Sequence, residues 1–210
     1  IQGNTAKDDG GGLATCNTLI RGNQIVRNKA GGQGGGLAYC NRTLQDNQIL
    51  ENTARYGGGA FNCNGTITDC RVNRNSADFG GAFYACNADM TRCEFTQNTS
   101  FVDGGALLKS FGVMAQCSFT SNTAFTGGAM ALCGDHVISC SFIGNRSSGG
   151  AGAVHLASGV FENNLVQGNQ GYSGGAFYGV DGTVRANRFI ANTTLPDGAG
   201  GYSGPGGALA

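Results

Sequence analysis

The sequence is organised around an asparagine that returns every 23 or 24 residues. An apolar residue precedes each copy by three positions, as Ile25 precedes Asn28 and Phe95 precedes Asn98. A fixed period of this length is typical of repeat architectures, in which one unit is too small to bury its own hydrophobic face. The nine asparagines of this column are Asn4, Asn28, Asn52, Asn75, Asn98, Asn122, Asn145, Asn169 and Asn192.

Each repeat contains three short apolar segments, separated by Gly, Asn, Asp or Ser, and a glycine pair such as Gly104-Gly105 opens it. Short apolar segments bounded by these turn-forming residues predict strands rather than helices. We therefore predict an all-β fold, a parallel β-helix (solenoid) with three strands per coil and about eight coils of 23–24 residues. The coils are expected over residues 1–194, and residues 195–210 are expected to form an irregular Gly/Pro-containing loop and the start of a further coil.

The asparagine column is predicted to be a structural ladder at one corner of the coil. Asn tolerates the left-handed conformation that a sharp bend needs, and stacked amides can hydrogen-bond from coil to coil. Coils stacked at the strand spacing of about 4.8 Å would form a rod about 40 Å long.

Charge and hydropathy exclude several classes of partner. The chain has 13 basic and 13 acidic residues, and charged residues make up only 12% of it. This balance gives no electrostatic footprint for nucleic acid or an anionic membrane. No run of 18 apolar residues is present, so no transmembrane segment is predicted.

The nine cysteines fall into two columns of the repeat. Pairs with C-x6-C spacing predict disulfides within one coil, and Ser110 stands where Cys117 would find its partner, so Cys117 is expected to be free. Cys16 and Cys40 are vertical neighbours, which also suits a disulfide, while the alternative for all nine is a buried thiol ladder. The predicted in-coil pairs are Cys63–Cys70, Cys86–Cys93 and Cys133–Cys140.

Bridged cysteines would place the protein in an oxidising compartment, secreted or at the cell surface. Neither a metal site nor a cofactor is predicted, because the sequence has no CxxC motif and only two histidines. Of five N-glycosylation motifs, three use asparagines of the ladder, so Asn41 and Asn64 are the candidate acceptors in a secreted product.

An aromatic residue follows the ladder asparagine by three or four positions in several repeats. Stacked along the rod, these rings would form a binding stripe for flat sugar faces or for another protein. The alternative is that they fold back and shield the core. The candidate residues are Tyr56, Phe79, Phe101, Phe125 and Tyr172.

An enzyme on this scaffold needs clustered carboxylates for acid/base chemistry or for Ca²⁺. The phase of the repeat allows only Asp78 and Asp103 to be vertical neighbours. Two carboxylates in a Gly-rich corner are more often solvated turn residues. We therefore predict no catalytic residues and a protein that is not an enzyme.

A paired motif, GGA plus an apolar residue followed by FxxN, resembles the repeats of the chlamydial polymorphic membrane proteins. It occurs as Gly80-Gly-Ala-Phe83 with Phe95-Thr-Gln-Asn98, and again as Gly104-Gly-Ala-Leu107 with Phe119-Thr-Ser-Asn122. The resemblance covers almost the whole chain and implies a right-handed parallel β-helix of the pectin-lyase-like kind. In that family the repeats look like passenger domains of surface adhesins.

The function predicted from the sequence is a non-enzymatic structural or adhesive component of an extracellular or cell-surface assembly. The alternative is a polysaccharide-binding or polysaccharide-processing domain. The expected partners are other protein chains or further coils at two open ends, near Ile1 and Leu209, where uncovered strand edges invite pairing. Glycans are further candidate partners.

Overall fold

A computed structural model describes residues 1–196, and these form a solenoid of short strands without any helix. Four sheets run along it, and every strand pairing within them is parallel. Partners in register are 23 or 24 residues apart, as in Phe95 with Phe119 and Val72 with Phe95. The predicted all-β parallel solenoid of about eight coils is confirmed. Residues 197–210, which include most of the predicted terminal loop, lie outside the described residues.

The chain passes through sheets 1, 2, 3 and 4 in turn and then returns to sheet 1. Sheet 1 contains Thr5–Ala6, Lys29–Ala30, Thr53–Tyr56, Ser76–Phe79, Thr99–Ser100, Thr123–Ala124, Arg146–Ser147, Gln170–Gly171 and Thr193–Thr194. Sheet 2 contains Leu13–Ala14, Leu37–Ala38, Ala60–Phe61, Phe83–Tyr84, Leu107–Leu108, Met130–Ala131, Val154–His155 and Phe177–Tyr178.

Sheets 3 and 4 follow in each coil. Sheet 3 contains Ile20–Arg21, Leu44–Gln45, Ile67–Thr68, Met90–Thr91, Val113–Ala115, His136–Ile138, Ser158–Glu162 and Asp181–Arg185. Sheet 4 contains Gln24–Val26, Gln48–Leu50, Arg71–Asn73, Glu94–Thr96, Ser118–Thr120, Ser141–Ile143, Leu165–Gln167 and Arg188–Ile190.

The number of strands per coil corrects the prediction from three to four. Sheets 2, 3 and 4 point large apolar side chains inward, for example Phe83, Met90 and Phe95, which are fully buried. Sheet 1 points small ones inward, such as Ala77 and Ser100. The sequence therefore shows three columns of large apolar residues, one for each of sheets 2, 3 and 4. The strand of sheet 1 has no such column, so it was not predicted.

Three of the four corners share one local structure, a left-handed residue followed by an inward-pointing side chain. Gln97 (φ 54°) precedes Asn98, Arg92 (φ 51°) precedes Cys93 and Ala85 (φ 52°) precedes Cys86. Side chains that accept a backbone N–H suit such a bend, because the bend removes that N–H from a strand ladder.

The glycine pair builds the fourth corner, between sheets 1 and 2. Gly104 is left-handed (φ 63°), and a Cβ on Gly105 would lie 2.1 Å from the carbonyl oxygen of Gly128 in the next coil. Inside the coils, a column of phenylalanines stacks along the rod: the ring centroids of Phe95 and Phe119 are 5.0 Å apart. The stacked rings follow the spacing of the hydrogen-bonded strands, about 4.8 Å.

Candidate functional site

The asparagine ladder is present with the predicted register. The Oδ1 of Asn98 accepts the backbone N–H of Asn75 at 3.0 Å and its side-chain Nδ2–H at 3.0 Å. The Nδ2 of Asn75 also donates to the carbonyl of Ile49 at 2.8 Å. The same pattern continues from Asn4 to Asn192. The side-chain amide of each interior asparagine is thus fully hydrogen-bonded and also pairs with backbone groups of the neighbouring coil. The role of this column is therefore structural.

A column of cysteines takes over the same role at the corner between sheets 3 and 4. The Sγ of Cys140 donates to the carbonyl of Met114 at 3.3 Å and lies 3.4 Å from the backbone nitrogen of Cys117. One coil further on, the Nδ2 of Asn164 donates to the carbonyl of Val137 at 2.9 Å. The thiols in this column therefore make the hydrogen bonds to backbone carbonyls that asparagine side chains make one coil further on.

The cysteine sulfurs are neighbours along the rod, not within a coil. All nine cysteines of the chain are free thiols in this structure, which differs from the predicted bonds Cys63–Cys70, Cys86–Cys93 and Cys133–Cys140. The physical reason is that the strand between two corners, such as Ile67–Thr68, separates the members of each predicted pair.

Burial and these contacts shift the pKa values of several of the thiols. The hydrogen bond with Cys140 and, to a smaller extent, burial raise the pKa of Cys117 to about 12. Burial raises the pKa of Cys133 to about 12. The hydrogen bond with Cys117 lowers the pKa of Cys140. Since the thiolate is the reactive form, buried thiols with raised pKa values are inert in the folded protein.

The two candidate glycosylation sites lie on the surface. Asn41 and Asn64 are exposed, and the Oδ1 of Asn41 accepts the backbone N–H of Asn64 at 3.0 Å. They belong to an exposed asparagine ladder that the sequence analysis did not identify, Asn17, Asn41, Asn64 and Asn87. The signal for it was present, because each of these residues directly follows a cysteine of the first column.

The outer face of sheet 1 carries a groove with a volume of about 810 Å³. Its floor contains a row of exposed hydroxyls, Thr53, Ser76, Thr99 and Thr123, which are register partners in successive coils. Phe101 and Phe125 form its apolar part, and their side chains are 80% and 53% exposed. Of the lining residues that the structure describes, only Asp78 is charged.

The backbone beneath the groove is held firmly. The hydroxyl of Ser147 donates to the carbonyl of Phe125 at 2.7 Å, and the N–H of Gly149 donates to the same oxygen at 2.8 Å. The ring of Phe125 lies over Gly149, where a Cβ would be 2.4 Å from Cζ. The ring is therefore presented on a rigid support.

The predicted aromatic stripe divides into two columns. Phe101 and Phe125 are aligned by the register of Thr99 with Thr123, and Tyr172 falls in the same column beyond Ser148. Tyr56 and Phe79 lie one position further along their strands and stack on each other at 5.2 Å. Successive side chains of a strand point in opposite directions, so positions three and four after the asparagine cannot form one stripe.

Tyr56 and Phe79 belong instead to a half-buried cluster on the corner between sheets 1 and 2. Phe61 and Tyr84 stack at 5.5 Å, and Tyr56 meets Tyr84 edge-on at 5.5 Å. Here the alternative prediction, rings folded back over the corner, describes the structure. Phe61 and Tyr84 were missed because they occupy the outward position next to the apolar column of sheet 2.

The two candidate carboxylates are not aligned. The register of Ala77 with Ser100 places Asp78 beside Phe101, and the N–H of Val102 donates to the carbonyl of Asp78 at 2.9 Å. Asp103 lies at the glycine corner, where the hydroxyl of Thr126 hydrogen-bonds to its carboxylate. Asp78 is three residues after its ladder asparagine and Asp103 is five after its own, so the two carboxylates lie two positions out of step.

Residues 1–196 contain neither a metal-binding cluster nor a membrane-spanning helix. No group of three or more His, Cys, Asp or Glu side chains there is arranged to hold a metal ion. The same residues include no helix with the length and apolar character needed to cross a membrane. Comparisons with protein-family models, curated proteins and solved structures found no match for this chain.

Proposed function

We propose that this chain is a non-enzymatic, adhesive β-solenoid of an extracellular or cell-surface assembly, and that it holds a polysaccharide chain in the groove of sheet 1. The observation that carries the proposal is the pair of exposed rings, Phe101 and Phe125, beside a straight row of hydroxyls. A contiguous exposed apolar patch rimmed by polar residues marks a binding surface.

The chemistry of the groove suits a neutral sugar polymer. Aromatic faces stack on apolar ring faces, and hydroxyls both donate and accept hydrogen bonds. The hydroxyls of Ser76, Thr99 and Thr123 repeat at the coil spacing of about 4.8 Å, so an extended chain meets equivalent groups along its length. Asp78 is the single charged residue among the described lining. The cationic side chains of this row, Lys29 and Arg146, lie at its two ends as register partners of Thr53 and Thr123.

A binding role is favoured over catalysis by the placement of the carboxylates. Asp78 neighbours Phe101, while Asp103 is engaged by Thr126 on another part of the corner. Glycoside hydrolysis uses a pair of carboxyl groups that flank one glycosidic bond. The resemblance of the GGA and FxxN motifs to chlamydial polymorphic membrane protein repeats adds support for a surface adhesin.

The test is retention of the protein on immobilised polysaccharides, neutral and acidic, with and without Ca²⁺. We expect retention on a neutral polymer, reduced about tenfold by the double change Phe101→Ala and Phe125→Ala, since each ring contributes about 0.5–1.5 kcal/mol. Phe111→Ala is the matched control, because Phe111 is also an exposed ring (38%) but does not line this groove.

Soluble products from the same incubations decide between binding and processing. We expect no new chain ends in the polymer. Cleavage that disappears in Asp78→Ala would replace adhesion by catalysis as the function. Undiminished retention of the double phenylalanine variant would remove the groove from the proposal. Failure on every polysaccharide, with capture of a protein instead, would show that the occupant is not a glycan.

A further inference from the structure

The cysteines form two unbroken runs along the rod and one isolated member. The first run is Cys16, Cys40, Cys63 and Cys86, and the second is Cys70, Cys93, Cys117 and Cys140. Cys133 belongs to the first column, but Ser110 precedes it and Ala157 follows it there. The backbone N–H of Cys86 donates to the Oγ of Ser110 at 3.2 Å, so a hydroxyl ends the first run.

Strand register places the members of each run directly over one another. Cys63 and Cys86 lie between two aligned pairs with the same offset of 23 residues, Phe61 with Tyr84 and Ile67 with Met90. The backbone nitrogen of Cys63 is 3.4 Å from the Sγ of Cys86. Vertical neighbours at about 4.8 Å fall within the Cα separation of disulfides, 4.4–6.8 Å.

The second run has the same geometry. Cys117 and Cys140 lie between the aligned pairs Ala115 with Ile138 and Ser118 with Ser141. Both sulfurs point into the core and are buried. The only pairing that uses all four members of such a linear run joins the first to the second and the third to the fourth.

We propose that the cysteines form four disulfides between consecutive coils and leave Cys133 as a thiol. The bonds are Cys16–Cys40, Cys63–Cys86, Cys70–Cys93 and Cys117–Cys140. Each joins residues 23 or 24 positions apart, and together they fasten coils to one another at two corners. This inference does not depend on the ligand of the groove.

Each bond requires an oxidant, which we take to be a low-molecular-weight disulfide. A protein thiolate attacks it to give a mixed disulfide and one released thiol. The second cysteine thiolate then displaces the other thiol, so two protein thiols are oxidised and one disulfide is reduced to two thiols. Cys16 is half-buried and the other eight cysteines are buried, so the interior bonds must form while the coils assemble.

The experiment is to refold reduced, denatured chain in a mixture of reduced and oxidised glutathione. Remaining thiols are then alkylated, and the chain is cleaved at Lys, Arg and Asp and mapped without reduction. Asp69 separates Cys63 from Cys70, and Arg92 separates Cys86 from Cys93. We expect Cys63 joined to Cys86 and Cys70 joined to Cys93. A Cys63–Cys70 peptide, or nine alkylated thiols in the refolded solenoid, would overturn the proposal.

The variant Cys133→Ser resolves the remaining ambiguity, because Cys117 and Cys133 share one peptide between Lys109 and Asp135. Serine occupies the same column at Ser110, so the variant is expected to fold. We expect its link to the Cys140 peptide to persist and the alkylated thiols to fall from about one per chain to none. Loss of that link would assign the bond to Cys133–Cys140 and contradict the proposed pairing.

Discussion

The Oδ1 of Asn122 lies 3.0 Å from the backbone nitrogen of Asn98, 24 residues earlier in the chain. Asn98 in turn donates its Nδ2–H to the carbonyl of Val72 at 2.9 Å and accepts two hydrogen bonds from Asn75. One fully buried amide thus serves the backbone of the preceding coil and donates to the side-chain amide of the next coil. The corner depends on each rung having another above and below it.

We predict that Asn98→Ala lowers the free energy of unfolding by about 3 kcal/mol. The change leaves a backbone N–H, an amide N–H and a carbonyl without their partners in the core, and an unsatisfied buried group costs about 1–3 kcal/mol. Urea unfolding measures the effect. Asn4→Ala is the control, since Asn4 is exposed at the first rung, and it should cost less than about 1 kcal/mol. Equal losses would show that ladder position does not matter.

The ladder, the parallel register and most of the core could be predicted from the sequence. The asparagines and the large apolar side chains that form them recur with one shared period of 23 or 24 residues. The sequence does not predict the fourth sheet, since Ala77 and Ser100 look like loop residues in a hydrophobicity pattern. The prediction grouped Phe79 with Phe101, although Phe79 is four residues after its ladder asparagine and Phe101 is three after its own. That one position decides whether a ring covers the corner or faces solvent.

The groove could be predicted only in part. Phe101 and Phe125 were identified from their spacing, and the strand alignment then places the hydroxyls of Thr99 and Thr123 beside them. The support of Phe125 on Gly149 depends on a side-chain packing contact. Contacts of this kind join residues 24 positions apart and leave no local signal in the sequence.

The second glycine of the corner pair has no room for a side chain. We predict that Gly105→Ala costs about 3 kcal/mol, because its Cβ would meet the backbone oxygen of Gly128 at 2.1 Å and overpacking costs about 1–3 kcal/mol. Gly168→Ala is the control. Gly168 is left-handed (φ 64°) with no atom within 4 Å of its Cβ, so only conformational strain of about 1 kcal/mol is expected. Thermal unfolding of both variants gives the comparison.

His155 makes stability depend on pH. Its ring stacks on Tyr178 at 5.3 Å, and its Nδ1 accepts the N–H of Ala151 at 3.4 Å. Burial lowers the pKa of His155 from its ordinary value of 6.5, and Asp103 opposes this with a smaller upward effect. The unfolded chain therefore binds a proton more readily than the folded one. This contribution to stability is present above pH 6.5 and is lost as pH falls through the folded pKa.

We predict that His155→Phe flattens the decrease in stability between pH 7 and pH 5, since phenylalanine keeps the stack on Tyr178 and cannot be protonated. Chemical denaturation at several pH values measures the slope for each protein. His136→Phe is the matched control, because His136 is exposed on sheet 3. A His155→Phe profile parallel to that of the parent chain would contradict the assignment.

The corner between sheets 3 and 4 should accept asparagine wherever it now holds cysteine. We predict that Cys140→Asn changes stability by less than about 1 kcal/mol, measured under reducing conditions so that no disulfide contributes. The backbone N–H of Cys140 already donates to the Oδ1 of Asn164 at 2.8 Å, so the new amide would extend the ladder by one rung. It can also accept the backbone N–H of Cys117, which the sulfur now accepts at 3.4 Å.

Cys140→Ala is the comparison for this substitution. Alanine leaves the N–H of Cys117 and the carbonyl of Met114 without a side-chain partner and opens a small cavity, so we expect a loss of about 2 kcal/mol. The decisive measurement is which of the two variants, Cys140→Asn or Cys140→Ala, has the lower free energy of unfolding. If asparagine destabilises the chain more than alanine does, the sulfurs fill volume in the core, and their hydrogen bonds to the neighbouring coils do not hold the corner.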